Sequence, residues 1–267
     1  MTECEAVRFF RKLGALLYFC KIFGIRDLHY ENIMASREGP VIIDPECAMI
    51  SGVVKAKAFG MMELGEFKKA FLYKELKNAT FFIIPDGGGE PYIPKWYAPI
   101  VNKNVIEGFH LTAVRGVENF LGIQSMYDHI IHMEYKSRIV PLQTEVWQGM
   151  MWAYYYNESA RAQVLADGVE RAWNGLQEFL ADASAIEESS VKGQIGNQLE
   201  RDFFSGDIPV FSIKSFSGER KELWMDDIVL ADFTEPILTE VQLREQIEWL
   251  QTEEALQAFT KEWTKQQ

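Results

Sequence analysis

Apolar residues recur at Val7, Phe10, Leu13, Leu17 and Cys20, at spacings of three and four. That period predicts an amphipathic helix over 3–24, with Gly24 as its stop. Residues 25–39 are polar and aperiodic. The branched run Pro40-Val-Ile-Ile-Asp44 reads as a short buried strand. Interleaved Lys and Glu predict a helix over 62–77, with Lys68 and Lys69 on its solvated face. Thr80–Ile84 is β-prone and runs into Pro85-Asp-Gly-Gly-Gly-Glu-Pro91. The glycine triplet lacks phosphate-loop spacing and reads as a plain loop. Helical periods return at 102–121, 123–135, 144–156, 158–183 and 190–205. Gly206-Asp-Ile-Pro-Val-Phe211 breaks them. Short strands are expected near 209–213 and 221–225, then a last amphipathic helix over 238–264. The polar stretch 182–190 is the weakest boundary candidate, too short to prove a domain linker. The pattern predicts one α+β domain over 1–267, predominantly helical, with a few short strands.

Composition narrows the function classes. Among 267 residues, 48% are hydrophobic and 25% charged, as in ordinary globular proteins. Acidic residues outnumber basic ones 39 to 27, for a net charge of -12. No basic stripe is apparent, so a nucleic-acid partner is not expected. Cys4, Cys20 and Cys47 are too few for a disulfide framework or a four-cysteine zinc site. His110, His129 and His132 complete no zinc set. The apolar run 13–23 is interrupted by Lys21 and too short to span a bilayer, and the acidic start is unlike a signal peptide. A cytoplasmic protein without a membrane partner is expected. The aromatic run Trp152–Tyr156 reads as core packing with some rings exposed.

One stretch carries chemistry. Ile25-Arg-Asp-Leu-His-Tyr-Glu-Asn-Ile-Met34 places Asp27, His29 and Asn32 in a loop after a helix. Asp44 follows at the end of the apolar strand, with Glu46 two residues on. Phosphoryl transfer from ATP needs such a set. One Asp orients or deprotonates the attacking hydroxyl, an Asn and a second Asp hold Mg²⁺, and a histidine steadies developing charge. Asp44 and Glu46 would share one side of an extended segment, a pair of oxygen donors for a hard cation. An Asp-x-His-x-x-Asn triple alone is commonly a surface loop. The apolar strand ending in Asp seventeen residues past Asp27 makes it specific.

The arrangement is similar to the catalytic and metal loops of phosphoinositide-type lipid kinases. A closer match is carried by Gly14-Ala-Leu-Leu, Asp27-Leu-His-Tyr-Glu-Asn32 and Pro40-Val-Ile-Ile-Asp-Pro-Glu46. These strongly resemble the dehydratase domain of class II (LanM-type) lanthipeptide synthetases. Ile106-Glu-Gly-Phe109, Arg138-Ile-Val-Pro-Leu-Gln-Thr144, Glu200, Gly206-Asp-Ile-Pro-Val-Phe211 and Ile237 through Leu256 extend the likeness. The resemblance implies a lipid-kinase-like C-terminal lobe. It also implies ATP and Mg²⁺ as cofactors and a precursor peptide as partner, whose Ser and Thr are phosphorylated and then lose phosphate. Asp27 and His29 would be catalytic, and Asn32, Asp44 and Glu46 would bind cofactor and metal. Arg138 and Thr144 would serve elimination. A guanidinium grips the leaving phosphate bidentately, and a hydroxyl adds one hydrogen bond. Read without the family, Arg138 ends a strand beside a surface carboxylate and Thr144 caps a helix.

Three positions depart from the family. Leu142 stands where a second Arg is frequent, Trp147 where Tyr is, and Pro45 where an apolar residue is. The first two weaken the elimination expectation. Only 26 residues precede Asp27 and no cysteine follows Cys47. The lysine-bearing ATP lobe and a zinc cyclase domain are therefore not expected here, and a separate N-lobe or synthetase chain becomes a candidate partner. The alternative is a non-catalytic remnant or binding module that pairs with such a chain.

Overall fold

The computed structural model describes residues 3–25, 33–36, 39–42, 98–177, 179–180, 186–235 and 237–264. These residues form an α+β structure dominated by helices, as the periodicity predicts. They gather into two compact units, one from residues 1–127 and 238–267, the other from 128–237.

The first unit is helical. Helix α1 (Glu3–Ile22) buries Phe10, Leu13, Leu17 and Cys20 on the predicted stripe, widened by Ala6, Phe9 and Tyr18. Gly24 adopts a left-handed φ of 56°, and the Ile25 N–H donates to the Cys20 carbonyl at 2.9 Å. That glycine stop closes the helix by supplying a conformation other residues resist. Helix α2 (Ala98–Glu118) crosses α1 in backbone contact. A methyl group on Gly14 would strike the Val105 carbonyl oxygen and lie 2.6 Å from the Phe109 nitrogen. One on Gly108 would strike the Arg11 carbonyl group. The two glycines belong to motifs more than ninety residues apart, Gly14-Ala-Leu-Leu and Ile106-Glu-Gly-Phe109, and the fold sets them against one another. Arg11 bridges the crossing with two 2.9 Å bonds to Glu107.

Helices α7 (Glu240–Leu250) and α8 (Glu253–Thr264) complete this unit. Phe259 stacks on Phe109 at 4.1 Å, and the Trp263 indole donates to Asn102 at 2.7 Å. The expected single helix 238–264 is thus two. Thr252 interrupts it, its Oγ1 accepting from the Ala255 N–H. Strands β1 (Ile33–Ser36) and β2 (Gly39–Ile42) form an antiparallel hairpin. Val41 is exposed, so the run expected to be a buried strand is instead half of a two-stranded ribbon. The helix read at 62–77, the β-run 80–84 and the glycine loop 85–91 lie outside the described residues.

Helix α3 (Phe120–Ile131) leads into the second unit and ends before the 135 expected from periodicity, because Tyr135 begins a strand. A four-stranded antiparallel sheet runs in the order β3 (Tyr135–Ile139), β4 (Phe211–Ser215), β5 (Arg220–Met225), β6 (Ile228–Thr234). Its inner face presents Ile139, Phe211, Ile213, Leu223 and Met225, all buried. Lys221 is buried there too, donating to the Ser215 hydroxyl at 3.0 Å with the Glu235 carboxylate 4.0 Å away. The unit's helices are α4 (Thr144–Tyr156), α5 (Arg161–Gln177) and α6 (Glu188–Ser205). Helix α4 has the limits the sequence predicts. No helix among the described residues is long and apolar enough to cross a membrane.

The glycine contacts give opposite expectations for one substitution type. Gly14→Ala and Gly108→Ala should each lower the urea midpoint, costing about 2–4 kcal/mol, because backbone cannot yield as a side chain can. Gly193→Ala, on α6 with nothing within 4 Å of the added methyl, should raise stability by about 0.5–1 kcal/mol through helix propensity. An equal loss at all three positions would show that the crossing is not tight.

Candidate functional site

Asp27, His29, Asn32, Asp44 and Glu46 lie outside the described residues. Helix α1 ends just before them in the chain, and the β1–β2 hairpin lies between Asn32 and Asp44. The two elimination candidates are described, and the second unit shows what surrounds them.

Arg138 is the fourth residue of β3. Inward positions Ser137 and Ile139 are buried, so Arg138 points to the outer face, where it is half-buried. Its register partner on β4 is Ser212, and the neighbouring pair is Ile139 with Phe211. Directly opposed residues of antiparallel strands hold their side chains within about 5 Å on one face. The next residue along that row is Trp224 of β5. Ser212 is 3% exposed, and its hydroxyl lacks a hydrogen-bond partner among the described residues. Lys136 and Lys214 pair on the same outer face, Lys136 with its ammonium 5.1 Å from the Trp224 ring. Beside the Arg138 guanidinium the outer sheet face thus gathers the Lys136 and Lys214 ammonium groups and the unpartnered Ser212 hydroxyl, groups suited to a phosphoryl group, with Glu222 opposite Lys214 and matched by Arg220.

The pairing also joins two separate motifs. Phe211 closes Gly206-Asp-Ile-Pro-Val-Phe211, and the strand it opens pairs with the strand carrying Arg138. Thr144 is the first residue of α4, exposed, with Gln143 in the capping position and no side-chain cap bond. The capping position read for Thr144 is thus held by Gln143, which makes no side-chain cap bond. Trp147, one turn on, is buried and stacks on Phe211 at 6.3 Å. Trp147, which stands where the resembled family has Tyr, is core here. The turn between β3 and α4 rests on α5, where a methyl group on Gly175 would strike the Pro141 carbonyl.

The other end of the motif is held by carboxylates. Gly206, at φ 83°, ends α6. The Val210 N–H donates to Asp226 Oδ1 at 3.1 Å, and the Asp226 N–H donates to the Val210 carbonyl at 2.7 Å. Asp226 sits in the tight β5–β6 turn at φ 51°. Beside it, Asp202 is buried and accepts from the Gln198 amide at 2.8 Å. Burial, and then the charge of Asp226, push the Asp202 carboxyl up to about 7.

Residues 1–74 match a family model described as a domain of unknown function (DUF4135). That span contains α1, the β1–β2 hairpin and all five kinase-type candidates. A search of the curated proteins finds no match.

Sequence reading missed Ser212, Lys136 and Lys214. The available signal was the alternation in Phe211-Ser-Ile-Lys-Ser215, whose even positions face outward. Among the described residues, no group of three or more His, Cys, Asp or Glu could hold a metal ion. His129 and His132 remain helix-end side chains, His132 bonded to the Asp128 carbonyl at 2.6 Å.

Asp202 makes the second unit sensitive to pH. The folded chain holds its proton more tightly than the unfolded chain, whose carboxyl titrates near 3.8. Its stabilising contribution is therefore complete below about pH 4 and lost as pH rises through about 7. Asp202→Asn keeps an acceptor for Gln198 and offers Asp226 a permanent donor. It should flatten the decline in stability between these limits and gain roughly 1–3 kcal/mol at pH 8. Chemical denaturation at four pH values checks this, and a parallel, merely offset profile would refute it.

Proposed function

We propose that this chain is the kinase-like C-terminal lobe of a class II lanthipeptide dehydratase, acting with ATP and Mg²⁺ on Ser and Thr of a precursor peptide. The observation that carries the reading is the β3–β4 pairing. It sets Arg138 opposite Ser212, directly after the Gly206–Phe211 motif, so two segments resembling the family meet on one sheet face. The match of residues 1–74 to a family of unknown function is compatible with it and adds no activity.

In the first step Asp27 orients the peptide hydroxyl and accepts its proton, while His29 steadies the transferred charge. Asn32, Asp44 and Glu46 offer only oxygen donors, which fits a hard cation. Bound Mg·ATP supplies the phosphoryl group and neutralises its charge. In the second step a base removes the α-proton of the phosphorylated residue. The released electron pair forms the Cα=Cβ bond, the Cβ–O bond breaks, and phosphate departs with that bond's electrons. Arg138 holds the departing dianion, Ser212 offers a hydroxyl beside it, and Thr144 adds a second. Phosphorylation also needs a lysine-bearing lobe, in the same chain or as a separate partner.

The test uses a peptide already phosphorylated on Ser or Thr, so that neither ATP nor the second lobe enters. Loss of phosphoric acid is followed by mass spectrometry. Arg138→Ala should slow it about 10–100-fold, the worth of charge-assisted hydrogen bonds. Thr144→Ala should slow it only a few-fold. Equal rates for wild type and Arg138→Ala would remove Arg138 from the mechanism and the reading with it.

A further inference from the structure

The first unit carries a charged groove that this chemistry does not use. It lies between α1 and α2 and encloses about 420 Å³. Its walls hold Arg8, Arg11, Lys12 and Arg115, and no acidic residue lines it. In a chain with 39 acids and 27 bases, a lining of four cations and no acid is a local inversion of the charge balance. Arg11 is already matched by Glu107. Arg8 and Arg115 are exposed and make no ion pair among the described residues. Two uncommitted guanidiniums on facing helices offer bidentate donors to one phosphoryl group.

The remaining lining selects the class of ligand. Val7, Ala15 and Leu111 give the groove an apolar wall. Leu111 is 45% exposed. No aromatic ring lines it, so a nucleotide base or a nucleic-acid strand would find no stacking face. We infer that the α1–α2 groove binds a phosphorylated Ser or Thr within a peptide, phosphate on Arg8 and Arg115 and the flanking residues on Val7 and Leu111. The ligand is of the kind the proposed dehydratase would make and retain, so its origin rests on that reading. Its binding is measured without ATP or turnover. A failed elimination assay therefore leaves the groove's role standing, and failed binding leaves the elimination chemistry standing.

The experiment is fluorescence anisotropy of a labelled phosphoserine peptide against the whole chain. The unphosphorylated peptide, inorganic phosphate and a single-stranded RNA serve as competitors. Phosphorylation should tighten binding at least about tenfold, and the double variant Arg8→Gln/Arg115→Gln should abolish that gain. Thr112→Glu leaves both guanidiniums in place but puts a carboxylate in the groove, and should weaken binding similarly. Lys261→Gln, which removes an exposed cation elsewhere in the first unit, should leave it unchanged. Inorganic phosphate should compete only at far higher concentration, because it gains nothing from the apolar wall. Indifference to the phosphate, an unaltered double variant, an equal loss in Lys261→Gln, or RNA displacing the peptide at lower concentration would each overturn the assignment.

Discussion

The first unit depends on two backbones touching. Where α1 meets α2, Gly14 and Gly108 leave no side chain between the helices, and main-chain atoms make the contact. Such an approach removes the usual cushion of leucines. It draws the flanking side chains into register instead: Tyr18 lies 5.9 Å from Phe109, and Phe109 in turn stacks on Phe259. Gly108 also floors the cationic groove, so the crossing that closes the core opens the concavity beside it. The same helix then stops at Gly24 and delivers the chain to the segment holding Asp27 and His29.

The second unit repeats the device with a turn in place of a helix. Gly175 lets the Pro141 carbonyl rest against α5, which fixes the span between β3 and α4. Trp147 then anchors α4 on Phe211, the residue that opens β4. Arg138 and Ser212 are thus positioned by apolar contacts on the opposite side of the sheet. Apolar packing on one face of the sheet thus gives the polar pair on the other face a defined geometry.

Much of this was legible in the sequence, and the misses share a cause. The periods of α1 and α4 specify those helices with little help from elsewhere. Strand β3 reads only as a strand end at Arg138, because Tyr135–Ile139 spans five residues and its partner begins at Phe211. Only the tertiary pairing makes it a strand. Strand β6 follows Asp226-Asp227, a turn that lacks the glycine marking most hairpins. The α7–α8 break carries no Gly or Pro, and apolar periodicity runs through Thr252 unaltered. The segments around Arg138 and Gly206–Phe211 could be singled out separately, but their union depends on strand register, which no single segment encodes. Alternation along β4 marks Ser212 as outward-facing, but its significance lies in what stands opposite.

The discontinuity of the first unit bears on how the protein is made. Its core needs Phe259 and Trp263, yet residues 128–237 must be synthesised before them. At typical elongation rates that interval is on the order of ten seconds. Throughout it α1 and α2 can already be joined, but the Phe109 ring has no Phe259 to cover it. The inserted unit can meanwhile close on itself, since its sheet and helices are contiguous in the chain. The order of maturation is therefore the reverse of the order of translation. The nascent chain presents an unfinished aromatic surface to chaperones or partners until its last two helices emerge.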